Sequence, residues 1–246
     1  MSALDLSPAA RTFKALAWRM RERLRPRPRE SLLHHAVRRY SQNGEDGMLA
    51  ELFRRVGPGT RTFVEFGVGD GAQCCTRALA EAGWTGLWID PGAIASAPAG
   101  VRTRQAFLTR ENVAEVLLEN GVSRNVDLLV VDVDGNDYHL LAALLAEGFA
   151  PRALVVEYNA SVEPGVSWVM PYDPAHRWDL SNRFGASLTA LAALARDHRL
   201  VACDAEGVNA FFVAEALAHA FPCPGDVDAH YMSPKYCGLA FGHPSR

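Results

Sequence analysis

The spacing of apolar residues changes along the chain, and each change predicts an element. Residues 8–24 carry Phe13, Leu16, Ala17 and Met20 at helical spacing, which predicts a helix with one apolar face. Arg25-Pro26-Arg27-Pro28-Arg29 ends it, because each proline removes a backbone donor and clashes with the preceding turn. A second helix runs from Glu45 to about Arg55, with Met48, Leu49, Leu52 and Phe53 apolar, and Gly57-Pro58-Gly59 stops it. From Thr62 the period shortens. Thr62–Phe66, Gly86–Asp90, Arg104–Leu108, Val126–Val131 and Ala153–Glu157 read as five strands. Helical stretches at Thr76–Ala82, Asn112–Glu119 and Tyr138–Glu147 fall between them.

Strand alternating with helix over this length predicts a parallel, doubly wound sheet covered on both faces. The end of the chain breaks the pattern. A helix at 187–197 precedes two strands, Arg199–Cys203 and Asn209–Val213. Only Asp204 to Val208 joins them, too short for a crossover helix, so they should pair antiparallel. Between the fifth strand and that helix lies an irregular stretch, 159–185, rich in Pro, Trp, Tyr, His and Arg. A long loop of this kind in a compact domain is usually functional.

Composition narrows the class. The 246 residues are 49% hydrophobic and 22% charged, which excludes collagen-like, disordered and coiled-coil chains. No stretch approaches the roughly 18 apolar residues of a membrane span, and the interrupted apolar start is unlike a secretory signal. The five cysteines are odd in number and form no C-x-x-C pair, which predicts reduced thiols and a cytoplasmic protein. Charge is unevenly placed. Residues 1–39 hold ten Lys and Arg against three Asp and Glu, a net +7, and the remainder carries −10. A basic arm thus precedes an acidic body. It would either pack on the core or a second subunit, or bind an anionic acceptor.

The sharpest motif is Val64-Glu65-Phe66-Gly67-Val68-Gly69-Asp70-Gly71-Ala72, between a strand and a helix. As G-x-G-x-x-A it fits a dinucleotide fingerprint. As E-x-G-x-G-x-G it fits the first motif of S-adenosylmethionine (SAM) methyltransferases. Asp90 ends the second strand and would accept from ribose hydroxyls in either case. Glu65, Asp70 and Asp132 make the crevice anionic, which suits a cationic sulfonium and opposes a pyrophosphate. The terminal antiparallel hairpin is also foreign to the usual dinucleotide fold.

From about Tyr40 to Val213 the chain resembles class I SAM-dependent methyltransferases, and within them the FkbM-like group. The residues that carry the resemblance are Ser41-Gln42-Asn43-Gly44-Glu45-Asp46, Phe63 to Gly71, Gly86-Leu87-Trp88-Ile89-Asp90, Val131-Asp132-Val133-Asp134-Gly135-Asn136-Asp137 and Val155-Val156-Glu157-Tyr158. The family's fourth-strand motif is usually acid-Gly-acid, from which Asp-Gly-Asn-Asp departs. The resemblance implies an α/β Rossmann-like fold with a seven-stranded sheet of order 3-2-1-4-5-7-6 and a terminal antiparallel strand. It says little about residues 1–39, so the chain is read as a basic helical N-terminal extension, 1–39, and a methyltransferase domain, 40–246. The resemblance implies SAM as methyl donor, with Gln42, Glu65, Gly67, Gly69, Asp70, Gly71, Asp90 and Asp132 binding it. The expected reaction is O-methylation of a small or oligomeric polar acceptor, such as a sugar or natural-product hydroxyl. N- or carboxyl methylation, a non-catalytic SAM-fold module and an NAD(P)-linked oxidoreductase are the alternatives.

Methyl transfer to an alcohol needs alignment and a proton acceptor. Asp132 and Asp134 end the fourth strand two residues apart and so share a face. Asp134, His139 and His176 are the candidate bases. The segment Tyr172 to Asp179, with Arg177 and Trp178, reads as a substrate lid. Asp132, Asp134, Glu157 and Asp173 offer the hard oxygen ligands Mg²⁺ takes. Cys74-Cys75 open a helix, where a thiolate would be stabilised unless burial against the sheet prevails. A homodimer built through the arm is a further expectation.

Overall fold

The computed structural model describes residues 16–22, 24, 30–223 and 225–235. After a 3₁₀ turn at Leu32–His35 come α1 (Glu45–Val56), β1 (Thr62–Phe66), α2 (Arg77–Glu81), β2 (Thr85–Asp90) and β3 (Val101–Gln105). Then follow α3 (Val113–Glu119), β4 (Leu128–Val131), α4 (Asp137–Ala146), β5 (Ala153–Glu157) and α5 (Leu188–Leu194). The strands β6 (His198–Cys203) and β7 (Asn209–Ala214), a 3₁₀ turn at Glu215–Ala220 and α6 (Val227–His230) complete the order.

The sheet has seven strands in the order β3-β2-β1-β4-β5-β7-β6, the order implied by the resemblance. Strands β3, β2, β1, β4 and β5 run parallel. Strand β7 inserts antiparallel between β5 and β6. The near-continuous apolar runs of β1, β4 and β5 follow from burial on both faces. Successive side chains alternate between two cores. Val64, Phe66, Leu129 and Val131 meet Leu140, Leu141 and Leu144 of α4. Phe63, Trp88, Leu128 and Val130 meet Met48, Leu49 and Leu52 of α1.

Strand three corrects the expected position. It spans Val101–Gln105, three residues before the run Arg104–Leu108. As an edge strand with four exposed residues it has no need of apolar side chains. The apolar Ala106-Phe107-Leu108 that drew the reading lies just beyond it and walls a cleft.

At the amino ends of the strands, Asp127 ties three segments together. Its Oδ2 accepts from Thr60 Oγ1 at 2.6 Å and from Thr62 N and Oγ1 at 3.0 Å. Its Oδ1 accepts from Arg152 Nη1 at 2.9 Å, and Arg152 also donates to Gly57 O and Val56 O. Burial raises the Asp127 pKa, but these hydrogen bonds outweigh it and hold the carboxyl below its usual range. Asp127→Ala is expected to cost about 3 kcal/mol, the low end for breaking a buried pair because Arg152 still touches water. Denaturant unfolding measures this. A loss under about 1 kcal/mol would contradict the assignment.

Residues 16–22 of the basic arm are helical. Trp18 packs edge-on against Tyr231 at 5.1 Å, and Tyr231 against Tyr158 at 6.4 Å. Arg19 donates to Pro234 O at 2.9 Å, and buried Glu22 accepts from Ser233 N and Oγ at 3.1 and 2.8 Å. The packed face is therefore Trp18, Arg19 and Glu22. Leu16 and Met20, expected to pack, are 55% and 58% exposed. Phe13, the Arg25–Arg29 break and Cys237 lie outside the described residues.

Candidate functional site

In an open α/β sheet, ligands sit beyond the carboxyl ends of the strands near the point where strand order reverses. Here that point lies between β1 and β4. A cleft of about 260 Å³ opens there. Gly67 and Gly69, Asp90 and Pro91, the segment 132–134, Asn136 and His176 line it, with Ala106, Phe107 and Leu108 as its apolar part.

The three loop glycines all have positive φ, for different reasons. Gly67 has φ 73°, and a Cβ there would lie 1.7 Å from Asp132 O, so β1 and β4 approach too closely for a side chain. Gly71 has φ 86°, and a Cβ would meet Ser96 O at 2.7 Å. Gly69 has φ 57° and nothing within 4 Å of its Cβ position. Of the three, only Gly69 leaves open space where a Cβ would stand. Asp90 fixes this loop: Oδ2 accepts from Gly69 N and Oδ1 from Gly92 N, both at 2.7 Å. Each oxygen keeps a further acceptor site for a ligand. Asp70 is not brought into the cleft. Its exposed carboxylate accepts from Ala72 N at 2.8 Å and shapes the turn.

A smaller cavity of about 20 Å³, room for about one water, adjoins the cleft and shares Gly67 and Asp132 with it. Gln42, Asn43, Glu45, Glu65, Gln73 and Asn209 line it. Glu65 is occupied with folding. It accepts from Cys75 N at 2.7 Å, Thr76 N at 3.0 Å and Thr76 Oγ1 at 2.5 Å, capping α2 from β1. Trp88 Nε1 in turn donates to Thr76 Oγ1 at 2.8 Å. Gln42 donates to Gln73 Oε1 at 3.2 Å. The acids of the Ser41–Asp46 motif hold its backbone. Asp46 accepts from the N–H groups of Arg39, Tyr40 and Ser41, and Glu45 from Asn43. Asn209 Nδ2 donates to Glu45 Oε1 at 2.9 Å. A carboxylate only accepts, so this bond orients the amide, and the buried Asn209 Oδ1 has no partner among the described residues. Cys74 and Cys75 are buried, which pushes both thiols up and removes the thiolate reading.

The loop after β4 is held by a buried acid. Asp137 accepts from Val133 N at 2.7 Å and Gly135 N at 2.9 Å. Burial, then the charge of Asp132, pushes its carboxyl up to about 7. Asp134 sits in the left-handed region at φ 56°, a conformation Asp tolerates better than most residues. Carboxylate oxygens of Asp132, Asp134 and Glu157 lie within 4.8 Å of one another. Asp173 does not join them. It is exposed, and its Oδ1 accepts from Ala175 N.

The loop 159–185 folds over this end. His176 Nε2 bonds Asp134 O at 3.2 Å, and its ring packs where a Cβ on Gly135 would stand. Asn136 Nδ2 donates to Asp173 O at 2.8 Å, leaving its buried Oδ1 without a partner among the described residues. Arg177 stacks over Phe107 at 3.8 Å and Arg110 over Tyr172 at 4.0 Å. His139 is not among the residues lining the cleft. Its Nε2 bonds Met170 O at 2.8 Å, which makes it a support for the loop. The sequence reading thus missed Asn136, Asn209 and the Ala106–Leu108 wall. For Asn209 a signal exists, a lone amide at the head of the apolar run Ala210 to Val213.

No family model and no curated protein matches the chain. Solved structures do. MycE methyltransferase of the mycinamycin biosynthetic pathway, in complex with Mg, SAH and mycinamycin VI, is 16% identical, with a TM-score of 0.42 over 66% of this chain and 47% of that one. An O-methyltransferase family protein from Burkholderia thailandensis is 12% identical, with a TM-score of 0.37 over 78% and 59%. A fibrillarin/Nop5p complex gives 13% and 0.36 over 63% and 72%. The chain spans about half the length of the MycE chain it matches. With TM-scores below 0.5, none of the three bears on what this chain does.

Proposed function

We propose that this chain is a class I, FkbM-like methyltransferase that uses SAM to methylate a hydroxyl of a polar acceptor of sugar or natural-product type. The observation that carries the reading is the charge of the cleft. Asp90, Asp132 and Asp134 line it, and no Lys or Arg side chain lines it among the described residues. Such a cleft favours a cationic sulfonium and disfavours the pyrophosphate of a dinucleotide.

The residues present fit SAM. Gly69 leaves room where a Cβ would intrude, and Asp90 would accept from the ribose hydroxyls. Phe107 and Leu108 offer an apolar wall to an adenine ring. Asn209 Oδ1, beside Glu45, is placed to accept from an ammonium group. Bound SAM supplies a methyl group already activated by its sulfonium. The chain has to align the acceptor, exclude water and take a proton. Asp134 and His176 both line the cleft, and the Asp134 carboxylate is the proposed proton acceptor. Because His176 Nε2–H is donated to Asp134 O, the neutral ring would leave Nδ1 as an acceptor. Asn136 bonds the loop with one end of its amide, and its other end is proposed to receive the acceptor's hydroxyl.

The close approach of three carboxylates favours a second arrangement, in which Asp132, Asp134 and Glu157 hold Mg²⁺. There the metal would lower the pKa of the acceptor hydroxyl.

Calorimetric titration with SAM and with NAD tests the cofactor. Binding of SAM alone is expected, with Asp90→Ala weakening it by about tenfold, or 1.4 kcal/mol. Unchanged SAM affinity in a folded Asp90→Ala variant, or binding of NAD instead, would overturn the reading.

A further inference from the structure

We infer that the basic arm docks the protein on an anionic membrane surface, lying in the plane of the interface. The proposal does not depend on the methyltransferase reading. It starts from the two faces of residues 16–24. One face is fixed to the body through Trp18, Arg19 and Glu22. Leu16, Met20 and Leu24 follow one another at intervals of four, so they share a helix face. They are 55%, 58% and 80% exposed.

A stripe of large apolar side chains costs free energy in water unless something covers it. The occupant must also suit the charge. The arm carries +7, and nine of its ten basic residues are arginine, whose planar fork matches phosphate oxygens. A second copy of this chain supplies only half of what is needed. Its arm would bring +7 against +7. Its acidic body attracts the charge, but its other exposed large apolar side chains among the described residues are Val37, Leu118 and Leu180, on three separate segments. A bilayer with anionic headgroups presents phosphate charge and apolar depth in one plane. A helix with an apolar stripe flanked by arginines is the form that lies in that plane.

The arm's position fits. Trp18 reaches Tyr158 through Tyr231, and Tyr158 directly follows β5. Residues 16–22 of the arm therefore sit at the carboxyl end of the sheet, the end that holds the cleft. No helix among the described residues is long and apolar enough to cross a membrane, so the contact would be peripheral.

The test is sedimentation of the full chain with vesicles of phosphatidylcholine, alone or containing about one third phosphatidylglycerol. Binding is expected only with phosphatidylglycerol, and it should weaken as ionic strength rises from about 0.05 to 0.5 M. The double variant Leu16→Asp, Met20→Asp should bind at least about tenfold more weakly. Both side chains are more than half exposed, so its melting temperature should match wild type. If the double variant loses its fold, Arg25→Glu, Arg27→Glu, Arg29→Glu should weaken binding in its place. Three results would overturn the proposal: no binding to either vesicle, binding unaffected by both sets of substitutions, or a dimer in sedimentation that the aspartates dissolve while vesicles bind nothing.

Discussion

Gly67→Ala is expected to cost about 2–5 kcal/mol and to strip the chain of cofactor binding, whereas Gly69→Ala is expected to lose binding at a stability cost of only about 1–2 kcal/mol. The two glycines are two residues apart and look equivalent in the motif. At Gly67 an added Cβ would stand 1.7 Å from Asp132 O. That is backbone, so relief requires β1 and β4 to separate at their carboxyl ends. Overpacking of this kind costs about 1–3 kcal/mol, and a positive φ adds about 1–2. Domains of this size are stable by only about 5–15 kcal/mol, so soluble yield and melting temperature should both fall. At Gly69 nothing stands within 4 Å. Alanine there meets only the backbone preference, about 1–2 kcal/mol, but its methyl enters the space proposed for the ligand. Thermal unfolding and SAM titration of both variants separate the two roles. A Gly67→Ala protein within about 1 kcal/mol of wild type would refute the packing argument.

The same contrast shows what the sequence could and could not reveal. The order of the strands is implied only by the family resemblance, whereas apolar runs mark the buried strands and a short link such as Asp204 to Val208 forces an antiparallel pair. Those features are local and legible. The edge strand is not, since β3 is exposed and needs no apolar signal. The arm misled for a related reason. Its apolar stripe suggested packing, yet Trp18 and Glu22 make the contact, because a tryptophan ring and a buried carboxylate found partners in Tyr231 and Ser233, more than 200 residues away. Glu65 and His139 carry the same lesson at the site. Each is a plausible ligand or base by residue type. Glu65 accepts from two backbone N–H groups and the Thr76 hydroxyl at the start of α2, His139 Nε2 bonds Met170 O, and residue type alone does not show which partner wins.

Asp134→Asn is expected to leave SAM affinity near wild type and to cut turnover by about 10²-fold or more. Asparagine is the informative replacement. Asp134 sits at φ 56°, which Asn accepts as readily as Asp, so the loop held by Asp137 should keep its shape. What changes is the capacity to take a proton or hold a cation. Turnover can be followed as S-adenosylhomocysteine formed from a small-molecule extract before the acceptor is known. If Asp134 acts as base, Glu157→Gln should leave most of the activity, and a chelator should change nothing. If the three carboxylates hold Mg²⁺, Asp132→Asn, Asp134→Asn and Glu157→Gln should fail together. Chelation should then silence the wild type, and Mg²⁺ should restore it. Single losses of similar size that do not add in the double variant would mark the carboxylates as one unit. Full turnover in Asp134→Asn, with or without metal, would remove this side chain from the chemistry.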